Sequence, residues 1–376
     1  MRTSLYVHVP FCVVKCGYCD FNSYAIADHV AHDRFLAALD AELAIADPPR
    51  RPYTVFVGGG TPTYLDAGRF AKLFEILGHH VDLASAAEVT VECNPESLTR
   101  EKAAIALAAG VRRASVGAQS FDAARLRWLD RAHDAGAIRR AVGALRDAGF
   151  ENVSLDLMYA LPGETLADWK SDLREALELQ PDHLSCYSLT FERGTRLGRE
   201  LAAGTVEPAS ETIDAAMFRL TREHLGAAGF RAYEISNFAG RGGPSLHNDH
   251  YWLQGDYVGV GPGAASHRGG WRGTNLKTLD AWARAIEAGL LPTGEAETLT
   301  IPRRLGEALW LGLRRADGVD LDTIGERLGT DPAPHAAHII DRFVELGLLE
   351  RSGSRVRLTE GGVLVADSVA VEFLAT

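Results

Sequence analysis

Short β-branched runs alternate with longer amphipathic stretches over the first half of this chain, and that alternation limits the fold more than any other feature. The strand candidates are Leu5–Val9, Thr54–Val57, Val89–Glu92, Arg113–Gly117, Val153–Leu157 and His183–Leu189. Helical spacing recurs between them, around 29–46, 66–79, 99–109, 136–148 and 164–178. The first stretch is typical: Phe35, Leu36, Leu39 and Leu43 lie at three- and four-residue steps. Gly110 and Gly149 then read as helix stops. Strand–helix repetition at this spacing predicts parallel strands joined by right-handed crossovers. Six units fall short of a closed eightfold barrel, so the expected class is α/β with a partial (β/α)6 barrel. A flat doubly wound sheet is the alternative, because periodicity does not show closure.

Three of the five cysteines sit just after the first strand, as Cys12, Cys16 and Cys19. The CxxxCxxC spacing places three thiolates on one short loop, enough to hold three corners of a cuboidal [4Fe-4S] cluster. With no fourth thiolate in that loop, one iron stays open to an exchangeable ligand. Zinc is the competing occupant, but it normally takes four protein ligands in paired CxxC knuckles, and the sequence has no second knuckle. Cys93 and Cys186 lie within strand candidates and read as small buried hydrophobes.

At 376 residues, 46% hydrophobic and 24% charged, the chain has room for one large soluble domain with a smaller companion. Its net charge of −11 argues against an electrostatic grip on nucleic acid or anionic lipid. Five cysteines, three of them so close together, do not make a disulfide framework, so the thiols read as reduced and the protein as cytoplasmic. The first apolar stretch is short and interrupted by His8 and Pro10, unlike a secretory signal. No run approaches the ~18 apolar residues of a membrane span. Membrane contact is left to a peripheral or partner-mediated one.

Three parts are expected: a barrel over 1–236, a Gly-rich connecting segment over 237–300, and a smaller module over 301–376. The last reads as helix (303–315), helix (321–328), helix (335–348), a hairpin turning at Ser352-Gly353, and a final helix. That order resembles a winged helix. Between 301 and 376 there are nine Arg, no Lys and twelve Asp or Glu, a balance of −3, whereas a nucleic-acid reader shows a basic face. A packing or lid module is therefore expected.

Functional residues of such barrels gather where strands run out into loops. The second strand ends in Gly58-Gly59-Gly60-Thr61-Pro62-Thr63, where absent Cβ atoms let backbone approach a ligand. Glu92 closes the third strand, Gln119 follows the fourth, Arg131 comes shortly after, and Asp156 lies near the end of the fifth. Carboxylates placed so can accept from ribose hydroxyls or an ammonium, and an arginine can pair with a carboxylate. Each alone reads first as a cap or a solvated loop charge; their recurrence on one rim favours a site.

Tyr6-Val7-His8-Val9-Pro10-Phe11-Cys12, then Cys16 and Cys19, then the Gly58–Thr63 run, resemble the radical S-adenosylmethionine (SAM) family of oxygen-independent coproporphyrinogen III oxidases. The resemblance covers nearly the whole chain. It implies that the cysteines ligate a [4Fe-4S] cluster whose unique iron binds SAM. It also implies that Tyr6, Gly59, Gly60, Thr61, Glu92, Gln119, Arg131 and Asp156 contact SAM. Two departures point to the heme-chaperone branch. The oxidases carry a further cysteine two residues after the third, where this chain has Phe21, and a long N-terminal extension where eleven residues precede Cys12.

A third pointer is His247-Asn248-Asp249-His250-Tyr251-Trp252, similar to an HNxxYW motif associated with heme in that branch. A neutral imidazole ligates heme iron, and Tyr and Trp offer flat apolar surface to a porphyrin. His247 is the expected ligand, with His250 a local alternative; the competing role for this loop is to pack the barrel against the C-terminal module. The expected function is thus a heme chaperone that passes heme to an acceptor protein, with monomer–dimer exchange implied by the resemblance. The alternative is the oxidase itself, a radical decarboxylation of coproporphyrinogen III propionates.

Overall fold

The computed structural model describes residues 2–374. The first half is a run of strand–helix units: β1 (Thr3–Val9), α1 (His29–Ala46), β2 (Thr54–Gly59), α2 (Ala67–His80), β3 (Glu88–Cys93), α3 (Arg100–Ala108) and β4 (Arg113–Gln119). It continues with α4 (Ala123–Trp128), α5 (Ala135–Ala148), β5 (Asn152–Tyr159), α6 (Leu166–Glu178) and β6 (His183–Ser188). Side-chain caps start these helices, with Asp28, Asp66, Thr99 and Asp134 each accepting from a first-turn amide. Gly149 closes α5 at φ 105°, a left-handed stop that a side chain would strain.

β1 to β6 pair in parallel and in sequence order. The order never returns from β6 to β1, so the barrel is open. One cavity nevertheless touches the ends of β2 through β6 and the loop after β1, which a flat sheet would not allow. Along each strand, residues such as Leu5, Val7, Val55, Val57, Val89, Val91, Val153 and Leu155 enter the main hydrophobic core. The alternate set faces inward and is largely polar or aromatic: Ser4 receives a bond from Thr54, Tyr6 stacks on Phe56, and Ser115 donates to Asp156. Eightfold barrels usually fill this space with branched apolar residues.

Beyond β6 come α7 (Arg196–Ala202), α8 (Glu211–Ala227), β7 (Arg231–Ala232), β8 (Asn237–Ala239), α9 (Leu246–Trp252), β9 (Asp256–Val260), β10 (Ala265–Arg268), β11 (Trp271–Asn275), α10 (Leu279–Glu287) and β12 (Thr293–Thr298). Five of these strands lie in 237–300, which patterning reads as a connector, and all five join the main sheet. β9 pairs in parallel with β1, adding a seventh parallel strand. Its short Asp256–Val260 run is hidden among glycines, whose weak strand propensity masks it.

The last part holds α11 (Ile301–Gly312), β13 (Val319–Asp320), α12 (Leu321–Leu328), α13 (Ala333–Glu345), β14 (Leu349–Ser352), β15 (Arg355–Leu358), α14 (Glu360–Val363) and α15 (Ala366–Val371). It packs its own core around Leu309, Ile340, Val356 and Phe373. The hairpin turns at Gly353-Ser354, one residue later than expected, with Gly353 at φ 62°. The expected final helix is two short ones, broken at Leu364-Val365.

Candidate cofactor site at the strand ends

The cysteine loop leaves β1 at Pro10 and is closed by Cys12 N–H donating to Tyr24 C=O (3.0 Å) and Tyr24 N–H to Pro10 C=O (2.7 Å). One flank is fixed by His8, whose Nε2 bonds Asn22 C=O (2.8 Å), while Asn22 reaches the carbonyls of Pro262 and Lys277. The other flank is fixed at Gly17, which exchanges backbone bonds with Leu129 and Leu197. A Cβ on Gly17 would meet the Arg196 guanidinium at 2.4 Å. The three cysteines are half-buried and line a cavity of about 380 Å³.

Two sulfurs have donors in place. Thr61 Oγ1 donates to Cys12 Sγ (3.5 Å) and Arg131 to Cys16 Sγ (3.4 Å). Asn94 joins these two, donating to Thr61 Oγ1 (2.9 Å) and accepting from Arg131 (2.8 Å), which also donates to Gly117 C=O (2.9 Å). Burial holds the Cys12 thiol above its usual range and pushes Cys19 up to about 11. Metal binding at such thiols therefore releases protons.

The glycine run is tighter than an open cradle. Cβ atoms on Gly58, Gly59 and Gly60 would fall 2.5 Å from Glu92 Oε2, 2.4 Å from the His8 ring and 2.7 Å from Phe11 C=O. Gly59 sits at φ 103°. The space saved by the missing side chains is thus filled by protein, while the peptides of Gly59 and Gly60 still border the cavity. Gly59 N–H is committed to Glu92 (2.9 Å).

Glu92 and Asp156 lie on the inner face of β3 and β5. Burial raises Glu92 to about 8, with Gly59 N–H pulling down and the Asp156 charge pushing up. Burial also raises Asp156, against donors from Ser185 and Ser115. Gln119 occupies a left-handed conformation at φ 65°, where the β4–β5 register slips between Gly117 and Gln119. A strained non-glycine residue at a cavity edge is the kind of feature that binding sites retain.

Cys12, Cys16, Cys19, Gly59, Gly60, Thr61, Glu92, Gln119, Arg131 and Asp156 therefore meet at one cavity. Tyr6 does not border it: its hydroxyl bonds His8 Nδ1 (2.9 Å) one layer deeper in the barrel. Asn94 was missed by patterning, although it stands beside Cys93 in a strand-ending Cys-Asn-Pro; so were Ser115 and Ser185, the partners of Asp156. The donor set suits a [4Fe-4S] cluster. Three thiols share a loop, a cation and a hydroxyl address two of them, and Arg131 Nε is buried without a partner among the described residues. Among those residues no three His, Cys, Asp or Glu side chains converge as ligands of a single metal ion.

His247 lies elsewhere. Its helix α9 closes the opposite end of the barrel, where His247 bonds Thr54 at the start of β2. His247 is 1% exposed, both its ring nitrogens are hydrogen-bonded, and burial lowers it to about 3, so it is neutral. His250 is also engaged, with Nε2 on Asp256 C=O (2.8 Å). In this conformation the His247 imidazole presents no free nitrogen to an outside ligand.

Comparison with known proteins follows this geometry. The radical SAM superfamily profile matches residues 6–176, and the HemN C-terminal domain profile matches 299–365. A Mycobacterium tuberculosis protein named heme chaperone HemW is 38% identical over 97% of this chain and 93% of its own length. A Bacillus subtilis protein of the same name is 35% identical over 99% of each. The chain belongs to the HemW family of radical SAM proteins. HemW membership implies a [4Fe-4S] cluster and SAM, which when bound would supply one-electron chemistry. The residues that would hold the pair are the three cysteines, with Arg131, Thr61, Glu92, Gln119 and Asp156 around the second ligand. The fold also matches the solved coproporphyrinogen III oxidase HemN of Escherichia coli, with a TM-score of 0.86 and 23% identity over 99% of this chain and 90% of that one. No helix among the described residues is long and apolar enough to cross a membrane.

Proposed function

We propose that this chain takes up heme and passes it to an acceptor protein, with a [4Fe-4S] cluster and SAM bound at the strand-end cavity. The observation that carries this reading is full-length kinship to proteins named heme chaperone, at 35–38% identity. Two features of the chain support it. Phe21 stands 57% exposed at the cavity mouth, where a fourth loop cysteine would otherwise sit. The His247–Trp252 motif forms a single helix that joins the barrel to the C-terminal module, a place from which heme occupancy and cavity state can influence each other. His247 is the proposed axial ligand, reached once α9 leaves its seat. The cluster and SAM then act as a gate on transfer.

An anaerobic heme titration, with and without a reconstituted cluster, tests this. A stoichiometric complex whose affinity depends on the cluster is expected, and His247→Ala should remove its imidazole-ligated spectrum. Absence of any wild-type complex would sink the reading. Formation of protoporphyrinogen from coproporphyrinogen III, SAM and a reductant would replace it with the oxidase.

A further inference from the structure

Asn94 can serve both sulfur donors only with its amide one way round. Its Oδ1 accepts from Arg131 Nη2 (2.8 Å), while its Nδ2 donates to Thr61 Oγ1 (2.9 Å) and to Glu96 Oε1 (3.1 Å). A guanidinium has no acceptor and an ionised carboxylate no donor, so Arg131 and Glu96 both demand this orientation. Because Thr61 Oγ1 accepts from Asn94, its own hydrogen is left for Cys12 Sγ (3.5 Å). Turning the amide over would set its NH2 against the Arg131 guanidinium and its oxygen against the Glu96 carboxylate. Thr61 would then turn its hydrogen to Asn94, and Cys12 would lose its donor.

Behind Asn94 stands His133, buried between α4 and α5. Its Nε2 lies 3.0 Å from Ala118 C=O, which can only accept, so that nitrogen carries hydrogen. Its Nδ1 lies 3.2 Å from Glu96 Oε2. Burial opposes the Glu96 carboxylate, but the His133 bond and the Arg131 charge outweigh it and hold the group below its usual range. An ionised carboxylate accepts on both oxygens, so Nδ1 donates too, and His133 stands as an imidazolium paired with Glu96. Ala118 precedes Gln119, the left-handed residue of the rim, so the same ring ties the end of β4 to the segment after β3. Neither Glu96 nor His133 borders the cofactor cavity; both line a separate hollow that shares Arg131 with it. They can reach the cofactors only through Asn94 and Arg131.

We propose that the Glu96–His133 ion pair is the orienting device of the cofactor rim. As positioning residues the two lock the Asn94 amide, and through it the Thr61 hydroxyl on Cys12 and the Arg131 guanidinium beside Cys16. The device acts on the cysteine loop whether or not the chain carries heme. Hydrogen bonds to cluster sulfurs favour the reduced, more negative state, and the outer partners of metal ligands govern metal retention.

The test uses full-length protein with an anaerobically reconstituted cluster. Three readings are taken: the rate of cluster loss to an iron chelator, the midpoint potential of the cluster, and SAM affinity by calorimetry. Glu96→Ala releases the Asn94 amide. It should speed cluster loss and weaken SAM binding by about tenfold each, and move the potential to more negative values. His133→Phe keeps a ring in the space but removes both bonds. It should move the three readings the same way, which keeps the test open if the first variant folds poorly. Glu96→Gln separates orientation from charge. Its oxygen can accept from Asn94 while its NH2 donates to a neutral His133 Nδ1, so all three readings should stay near wild type. Wild-type readings in both Glu96→Ala and His133→Phe would overturn the device. So would a Glu96→Gln protein as impaired as Glu96→Ala, because charge rather than amide orientation would then matter. Lost stability with an unmoved potential would also overturn it, leaving the pair a purely structural contact.

Discussion

Arg131 donates to the sulfur of Cys16 at 3.4 Å across 115 residues of sequence, and the same guanidinium bonds Asn94 and Gly117. The fourth strand-end segment thereby sets the electrostatics of the loop after the first strand. The guanidinium is thus fixed beside the loop sulfurs, and its Nε is buried without a partner among the described residues.

Arg131→Ala should therefore weaken SAM binding to the reconstituted protein by about ten- to hundredfold, the cost of losing charge-assisted hydrogen bonds. Iron content should fall less. Calorimetry with SAM, beside iron and sulfide analysis, separates the two, and unchanged SAM affinity would show that Arg131 serves only the loop.

Gly59→Ala meets two obstacles at once. The backbone is left-handed at φ 103°, and the new Cβ would lie 2.4 Å from the His8 ring, which anchors the cysteine loop through Asn22. A loss of about 1–3 kcal/mol in stability is expected from the backbone alone. Cluster occupancy after reconstitution should drop too, because His8 must move. Denaturant unfolding of the apo protein and the absorbance of the cluster measure the two effects separately.

Glu42 ties α1 to the distal sheet, accepting from Gly261 N–H (2.6 Å), Trp282 Nε1 (3.0 Å) and Asn275 Nδ2 (2.6 Å). Burial nevertheless raises it from 4.5 to about 7, with those donors pulling it back. The folded state thus holds the proton more tightly than the unfolded one. The stabilisation is complete below about pH 4.5 and is lost as pH rises through about 7. The change is on the order of 3 kcal/mol. Glu42→Gln cannot titrate, so the stability difference between wild type and variant should shift against wild type between pH 5 and pH 8. A constant difference across that range would mean that Glu42 ionises normally.

The parallel strands and their helices are legible because β-branched runs and apolar helical spacing use different periods, and Gly110 and Gly149 punctuate them. The cofactor rim is legible because cysteines, glycines and charged residues at strand ends are costly to place without a reason. Much else is not. β9 is five residues long and lies between glycine-rich turns, so nothing local announces that it pairs with β1. Asn94 reaches the cysteine loop through the three-dimensional meeting of Thr61 with Arg131, which no spacing encodes. His247 is the clearest case. The motif shows chemistry, but a histidine capped by Thr54 and Tyr251 at the far end of the barrel is visible only once tertiary contacts exist. The resemblance places Tyr6 beside SAM; its hydroxyl bonds His8 Nδ1, the next inward residue of β1.

That geometry makes Tyr6 and Glu92 a discriminating pair. Both lie on inner strand faces, yet Glu92 borders the cavity and Tyr6 does not. Glu92 is raised to about 8 by burial, so near neutrality it is mostly protonated. As pH rises through about 8 it becomes a carboxylate able to accept two bonds from ligand hydroxyls, and SAM affinity should strengthen over that interval. Glu92→Gln should abolish the pH dependence and bind more weakly at pH 9, while Tyr6→Phe should retain wild-type affinity throughout. Equilibrium binding of SAM to the reconstituted proteins between pH 6.5 and 9 reads both. A loss of affinity in Tyr6→Phe equal to that in Glu92→Gln would show that the ligand reaches a layer deeper than the cavity does.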